Sequence, residues 1–328
     1  MKKVYINGLG SVSIQEKSKD FEGNALKKIG QGITPAFEPN YKEIIPAIQL
    51  RRMTKALKMS FFAFQSALQE ADLVTPEAII TGTAFGSLIH SEKFVETLLA
   101  NHEAHLTPTS FIQSTHNTVS GQIALHLKCQ GYNFTYVHKN NSFESALMDA
   151  FLQIQTEEIN NALVGAMDEI GPATMKNLQL IQKINTENDL FPQAVHYSES
   201  AVFFALENEQ KETTYAEIVD VQISHRLEEK NLLQFLQNND LNSKDVQHIY
   251  LGKTNLPVDQ DYFSTFAKHF PNATQNTYKE YVGHHPTASS FGVLLAAEHL
   301  KNDANTDHIL LYDQFENKDH SLILLKQC

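Results

Sequence analysis

The side chains of this chain best suited to chemistry are two thiols, a pair of adjacent imidazoles and one cluster of cations. Cys129 and Cys328 are the only cysteines. Two cysteines cannot build a disulfide framework or a four-cysteine zinc site, so reduced thiols are expected, with Cys328 free at the terminus. The histidines number 15 and are scattered, and the adjacent His284 and His285 lack the helical spacing by which one face collects ligands. No metal site and no cofactor are therefore expected. Arg51 and Arg52, with Lys55 and Lys58, form the densest basic group. Such a group can hold an acidic partner, or it can be a solvated helix face.

These groups sit in a chain of 328 residues, 42% hydrophobic, enough for a substantial core in one large domain or two fused halves. The 38 acidic residues outnumber the 26 basic ones, a formal charge of -12 that disfavours a broad nucleic-acid surface. It equally disfavours a broad field drawing in an acidic partner, which leaves the local patch at Arg51, Arg52 and Lys55. No stretch approaches the roughly 20 apolar residues of a membrane span. The opening Met1-Lys2-Lys3-Val4-Tyr5-Ile6 enters a strand-like pattern without a signal-peptide core, so a cytoplasmic location is expected.

The elements that must position these groups follow from periodicity. Val4 to Ser13 reads as a buried strand closed by glycines, and the apolar residues Met53, Ala56, Leu57, Phe61, Phe64, Ala67 and Leu68 predict an amphipathic helix over 51–71. Strands are predicted at 78–83, 161–166, 200–206, 216–221, 248–252, 308–312 and 321–326. Helices are predicted near 91–100, 117–128, 142–157 and 290–301. Alternating strands and helices argue an α/β fold, and the rhythm is the same in both halves although no repeat is visible residue by residue.

Taken in order, several landmarks resemble the β-ketoacyl-acyl-carrier-protein synthase family. They are Val4 to Ser13, then Arg51-Arg52-Met53 with Lys55 and Lys58-Met59, then Thr109-Ser110-Phe111, Asn117 and Gly121-Gln122-Ile123-Ala124. Ala162 to Ala166, Glu199-Ser200-Ala201-Val202 and Leu206-Glu207 follow at the expected places. The resemblance spans nearly the whole chain. It implies a thiolase-like fold of two similar α/β halves, 1–210 and 211–328, in a five-layered α-β-α-β-α arrangement.

The resemblance also implies a catalytic set, and the chain departs from it. Family members carry the acyl chain on a cysteine thiolate at the start of a buried helix. Counted from Gly131-Tyr132-Asn133-Phe134-Thr135 into 142–150, that position falls on Asn140, which cannot form a thioester. Cys129 lies eleven positions earlier (140 minus 129) and is expected to be a small packing residue. Two histidines polarise the malonyl carbonyl in the family. The first belongs to a His-Gly-Thr-Gly-Thr loop with Asp beyond it; here the stretch is Leu251-Gly252-Lys253-Thr254-Asn255 with Asp259, and the histidine has become Leu251. The second matches His284 in Gly283-His284-His285-Pro286-Thr287-Ala288-Ser289-Ser290, with His285 only a neighbour. The family's glycine- and phenylalanine-rich oxyanion loop aligns with Asp313-Gln314-Phe315-Glu316-Asn317-Lys318-Asp319, which has no glycine, so its positive-φ conformations are expected to be disfavoured.

The resemblance thus implies a chain-length-factor-like subunit, catalytically impaired, that pairs with an active ketosynthase as a heterodimer. The setting is fatty-acid-like or polyketide synthesis, with an aryl polyene or flexirubin-type pigment as one context. Acyl carrier protein is the expected partner at Arg51, Arg52 and Lys55. Phe111, Met148 and Phe315 are the expected acyl-contact residues, and 109–117 and 134–137 the expected partner contact. Two alternatives stay open: an active 3-oxoacyl synthase or malonyl decarboxylase with a rearranged site, and a homodimeric scaffold for acyl chains or carrier protein.

Overall fold

A computed structural model describes residues 1–16, 26–30, 32–104, 106–186, 189–254 and 256–328, without the side chain of Val258; Asn255, named above, lies outside the described residues. The strands are β1 Val4–Val12, β2 Ile33–Thr34, β3 Ala78–Gly82, β4 Tyr132–Tyr136, β5 Asn161–Asp168 and β6 Tyr197–Ser198. They continue as β7 Ser200–Glu207, β8 Ala216–Ser224, β9 His248–Leu251, β10 Thr274–Thr277, β11 His308–Phe315 and β12 Lys318–Lys326. Each of the eight predicted strands and five predicted helices has a counterpart here; the helices Pro108–Ser114, Pro172–Leu180, Glu229–Asn238 and Pro257–Ala267 were not read from the sequence.

Ten strands form one sheet in the order β10-β9-β11-β12-β8-β1-β7-β5-β3-β4. The first five in chain order, β1, β3, β4, β5 and β7, are arranged 3-2-4-5-1, and β8 to β12 repeat that arrangement. The pairing senses repeat too. β4/β3 and β3/β5 are parallel, as are β10/β9 and β9/β11. β5/β7 and β7/β1 are antiparallel, as are β11/β12 and β12/β8. The halves join where β1 runs antiparallel to β8, from Val4↔Ile218 to Ile6↔Ala216. A repeat invisible in the residues is therefore explicit in the topology.

Period-two alternation along the strands sorts side chains into three apolar layers. On β5, Ala162, Val164 and Ala166 face the central layer, while Leu163 and Met167 face the layer under helix Lys55–Glu70. On β12, Ile323 and Leu325 face the central layer, while Leu322 and Leu324 face helices Glu229–Asn238 and Pro257–Ala267. The central layer is filled by helices Ser142–Gln155 and Ser289–Asn302. The second of these is buried almost all round, as a helix between two sheets must be. Three apolar layers between two half-sheets and three tiers of helices give the five-layered arrangement.

Two boundaries differ from the periodicity. Helix Lys55–Glu70 begins at Thr54, whose side chain accepts the Leu57 N–H at 3.1 Å as an N-cap, so Arg51 and Arg52 lie in the preceding exposed turn. The glycine-free turn between β11 and β12 does adopt positive φ, at Glu316 (53°) and Asn317 (57°), as does Asp319 (52°) near the start of β12, against the sequence expectation. The antiparallel Phe315↔Lys318 pair encloses a two-residue turn whose twist demands φ > 0 at both central residues, and non-glycine residues accept that strain, about 1 kcal/mol or more each.

Candidate functional site

His284 sits where a sharp turn enters the second central helix. Gly283 has φ +82°, and a Cβ there would lie 2.5 Å from Ser198 Oγ, so the turn needs glycine. The main chain of His284 is held by β6: its N–H donates to the His196 carbonyl at 2.7 Å, and its carbonyl accepts from Ser198 N–H at 3.1 Å. Its ring meets the edge of Tyr197 at 5.0 Å and stacks on Phe315 at 5.8 Å. Burial, then the charge of Lys279, holds its pKa well below the usual imidazole value, so the ring is neutral. Nδ1 is buried with no partner among the described residues. His284 borders a cavity of about 560 Å³ together with Lys28, His196, Lys253, Thr254 and Lys279. His285 behaves differently: Ser198 Oγ lies 3.2 Å from Nδ1 and Ser200 Oγ 2.8 Å from Nε2, and burial lowers its pKa to about 3. It is a satisfied structural histidine.

Beneath this turn lies a buried charge cluster. Lys279 Nζ is 2.9 Å from Asp313 Oδ1, the Tyr278 hydroxyl donates to Asp313 Oδ2 at 2.7 Å, and Gln314 N–H donates to Asp313 Oδ1 at 2.8 Å. A Cβ on Gly252 would lie 2.1 Å from Asp313 Oδ1, so only glycine leaves room for the carboxylate. Glu144, on the first central helix, accepts from Ser321 Oγ at 3.3 Å, and its Oε2 has no hydrogen-bond partner among the described residues. Burial first, then the charge of Asp313, raises its pKa to about 7.

For a carboxyl raised from its ordinary 4.5 to about 7, the folded state favours the neutral form. No cost is felt below pH ~4.5; it grows as pH rises through the window and is full above pH ~7. At roughly 1.4 kcal/mol per unit this amounts to about 3 kcal/mol. Glu144→Gln, which copies the protonated form, is therefore expected to raise the melting temperature strongly at pH 8 and little at pH 5. Equal gains at both pH values, measured by thermal denaturation, would contradict this.

The fold brings some predicted residues together and separates others. Asn140 lies in the single turn Lys139–Asn141 that leads into helix Ser142–Gln155, against β12, with Lys139 at φ 54°. The approach is tight, since a Cβ on Gly82 at the end of β3 would lie 2.3 Å from the Ser142 carbonyl oxygen. Phe315 meets His284 directly. Leu251 does not face them: it packs in the outer apolar layer with Phe263 and Leu310. Beyond it, Thr254 N–H and Oγ1 both bond Asp259 Oδ2, so that loop keeps its Thr–Asp contact. Met148 packs against the central layer. Phe111 does not line a tunnel within this chain; it is 57% exposed on the short helix Pro108–Ser114, beside Phe94 at 5.8 Å and outside all three apolar layers. Lys55 is withdrawn from the basic patch because its ammonium bonds the buried carboxylate of Glu199 and lies 3.7 Å from Glu38. Cys129 packs beside the helix Lys55–Glu70 layer and donates to the Pro76 carbonyl at 3.2 Å, as a packing residue does.

Lys279 and Glu144 escaped the sequence reading, and Asp313 and Glu199 entered it only as members of resembling stretches, because each gains its meaning from a partner at least 34 residues away. His248, His299 and Asp303, not grouped by the sequence reading, place ligand atoms within 4.8 Å of one another. The four-residue spacing of His299 and Asp303 was the available signal. Among the described residues no helix is long and apolar enough to cross a membrane.

The family model for the β-ketoacyl synthase N-terminal domain matches residues 32–239, more than half of the chain. Among solved structures, the chain is similar to a β-ketoacyl synthase from Burkholderia phymatum STM815, with a TM-score of 0.83, 16% identity and 100% of both chains covered. It is also similar to the ishigamide ketosynthase/chain length factor, with a TM-score of 0.79 at 14% identity over 100% of this chain and 99% of that one. A ketosynthase in complex with its chain length factor from Xenorhabdus doucetiae gives a TM-score of 0.75 at 14% identity, covering 100% and 98%. No curated protein sequence matches the chain.

Proposed function

Because the chain belongs to the β-ketoacyl synthase family, we propose that it is a chain-length-factor-like subunit that pairs with an active ketosynthase and performs no condensation itself. The observation that carries this reading is the absence of a thiol at the turn entering the first central helix, where Asn140 stands. Neither cysteine can substitute. Cys129 is engaged with Pro76 beside the layer under helix Lys55–Glu70, and Cys328 is exposed beyond the end of β12, away from this turn. His284 remains, neutral, as a single donor with no imidazole beside it at Leu251. One donor without a nucleophile can orient an acyl carbonyl but cannot carry the chain.

The surface supports the partner. β4 ends the sheet, and an uncovered edge strand is a template for another chain. Tyr132, Phe134 and Val137 on and beside β4, with Phe111 and Ile112 on helix Pro108–Ser114, are large apolar side chains left exposed. Together they suit the ketosynthase contact expected at 109–117 and 134–137. Acyl carrier protein is the second partner in this reading, with Arg51 and Arg52 as its contact. Solved relatives that carry a chain length factor beside a ketosynthase, the ishigamide pair among them, favour polyketide-type assembly over the homodimeric scaffold. The test is co-expression with the active ketosynthase: a stable one-to-one complex whose acyl label resides on the partner is expected, and acylation or malonyl decarboxylation by this chain alone would overturn the reading.

A further inference from the structure

We propose that His248, His299 and Asp303 form a zinc site, separate from the His284 cavity, that fastens the C-terminal end of the second central helix to β9. His248 opens β9, and His299 and Asp303 lie one turn apart at the end of helix Ser289–Asn302. The two imidazoles meet edge to face at 4.2 Å, His299 Nε2 lies 3.5 Å from Asp303 Oδ2, and all three ligand atoms fall within 4.8 Å. Zinc bonds of about 2.0–2.1 Å put tetrahedral ligand atoms roughly 3.3 Å apart, so a closure of about an ångström or so completes the site. Two imidazoles and a carboxylate leave a fourth position for water, and His299 and Asp303 border a cavity of about 780 Å³ from which water and ion can enter.

The outer contacts orient these ligands. The Tyr250 hydroxyl is 2.9 Å from His299 Nδ1; with that nitrogen donating to the phenol oxygen, Nε2 keeps its lone pair for the ion. Asp303 is fixed by Thr306 Oγ1 at 2.7 Å and by Asn305 N–H at 3.0 Å and Nδ2 at 3.2 Å.

The experiment uses the full chain, stripped with chelator and titrated with Zn²⁺ by calorimetry, with Co²⁺ as a spectroscopic probe. One Zn²⁺ per chain is expected, with a higher melting temperature when saturated. His248→Gln and His299→Gln should each weaken binding about 100-fold, and Tyr250→Phe about 10-fold. The ligands are only half-buried, so the metal-free variants should melt within a few degrees of the parent. Zn²⁺ affinity unchanged in both histidine variants would overturn the site. Should a variant not fold, the Co²⁺ spectrum of the parent chain decides: intense tetrahedral visible bands support the site, and only weak octahedral bands refute it.

Discussion

Lys279→Met is expected to lower the stability of the folded chain at pH 7.5 by about 3–5 kcal/mol, the usual cost of stripping one partner from a buried ion pair. The Lys279 ammonium is almost fully buried and is the counter-charge of Asp313 at 2.9 Å. It also lowers the pKa of the nearby Glu144 carboxyl. Without it, Asp313 keeps two hydrogen bonds, from Tyr278 and Gln314, but no positive charge. The diagnostic is the double variant. Lys279→Met with Asp313→Asn removes both members of the ion pair and should recover most of the loss, read as the midpoint of urea unfolding. If the double variant is as unstable as the single, the loss comes from packing around the lysine stem and the electrostatic account of this pocket is wrong.

Glu199→Gln is expected to cost a similar amount, about 3–5 kcal/mol, although it changes only one atom of the side-chain outline. The Glu199 carboxylate is fully buried and accepts from three donors: Ala36 N–H at 2.9 Å, Ile170 N–H at 2.9 Å, and the Lys55 ammonium. An amide has a single acceptor oxygen, so its NH₂ must face an N–H or the ammonium, losing one bond and adding a repulsion. Beside it, Glu169 accepts Ala56 N–H and Ile89 N–H, joining the starts of helices Lys55–Glu70 and Leu88–Ala100. The two carboxylates therefore tie residues 36, 56, 89 and 170 around the start of helix Lys55–Glu70. A variant that melts within a degree or two of the parent would show that Lys55 and the freed N–H groups find water instead.

What was legible in the sequence, and what was not, follows from the range of each interaction. β1 and helix Lys55–Glu70 were readable because alternation along a strand and three- and four-residue spacing along a helix are local patterns. Helix Pro257–Ala267 was not read, since it lies outermost and its apolar pattern is dilute, whereas helix Glu229–Asn238 carries a clear amphipathic pattern in Leu232, Phe235 and Leu236 that the reading missed. The paired 3-2-4-5-1 strand order was invisible because pairing joins residues as distant as Tyr5 and Glu207.

At the site, Asn140 could be found by counting from a resembled motif, and His284 by its glycine turn. Lys55 misled for the opposite reason. Its place beside Arg51 and Arg52 suggests a surface patch, but the fold places the buried Glu199, 144 residues away, against its ammonium. The turn after Phe315 shows a further limit: composition argued against positive φ, yet hairpin twist imposes it at Glu316 and Asn317. His248, His299 and Asp303 came together because β9 lies beside the end of a central helix, a neighbourhood that only the sheet order creates.

The most direct test of the central claim is intact-mass spectrometry of this chain, alone and co-purified with the active ketosynthase, after incubation with acyl- and malonyl-loaded carrier protein. The account predicts an unmodified mass for this chain in both samples, an acyl adduct on the partner, and no malonyl loss from carrier protein with this chain alone. An acyl adduct on this chain, or decarboxylation in the partner's absence, would contradict it.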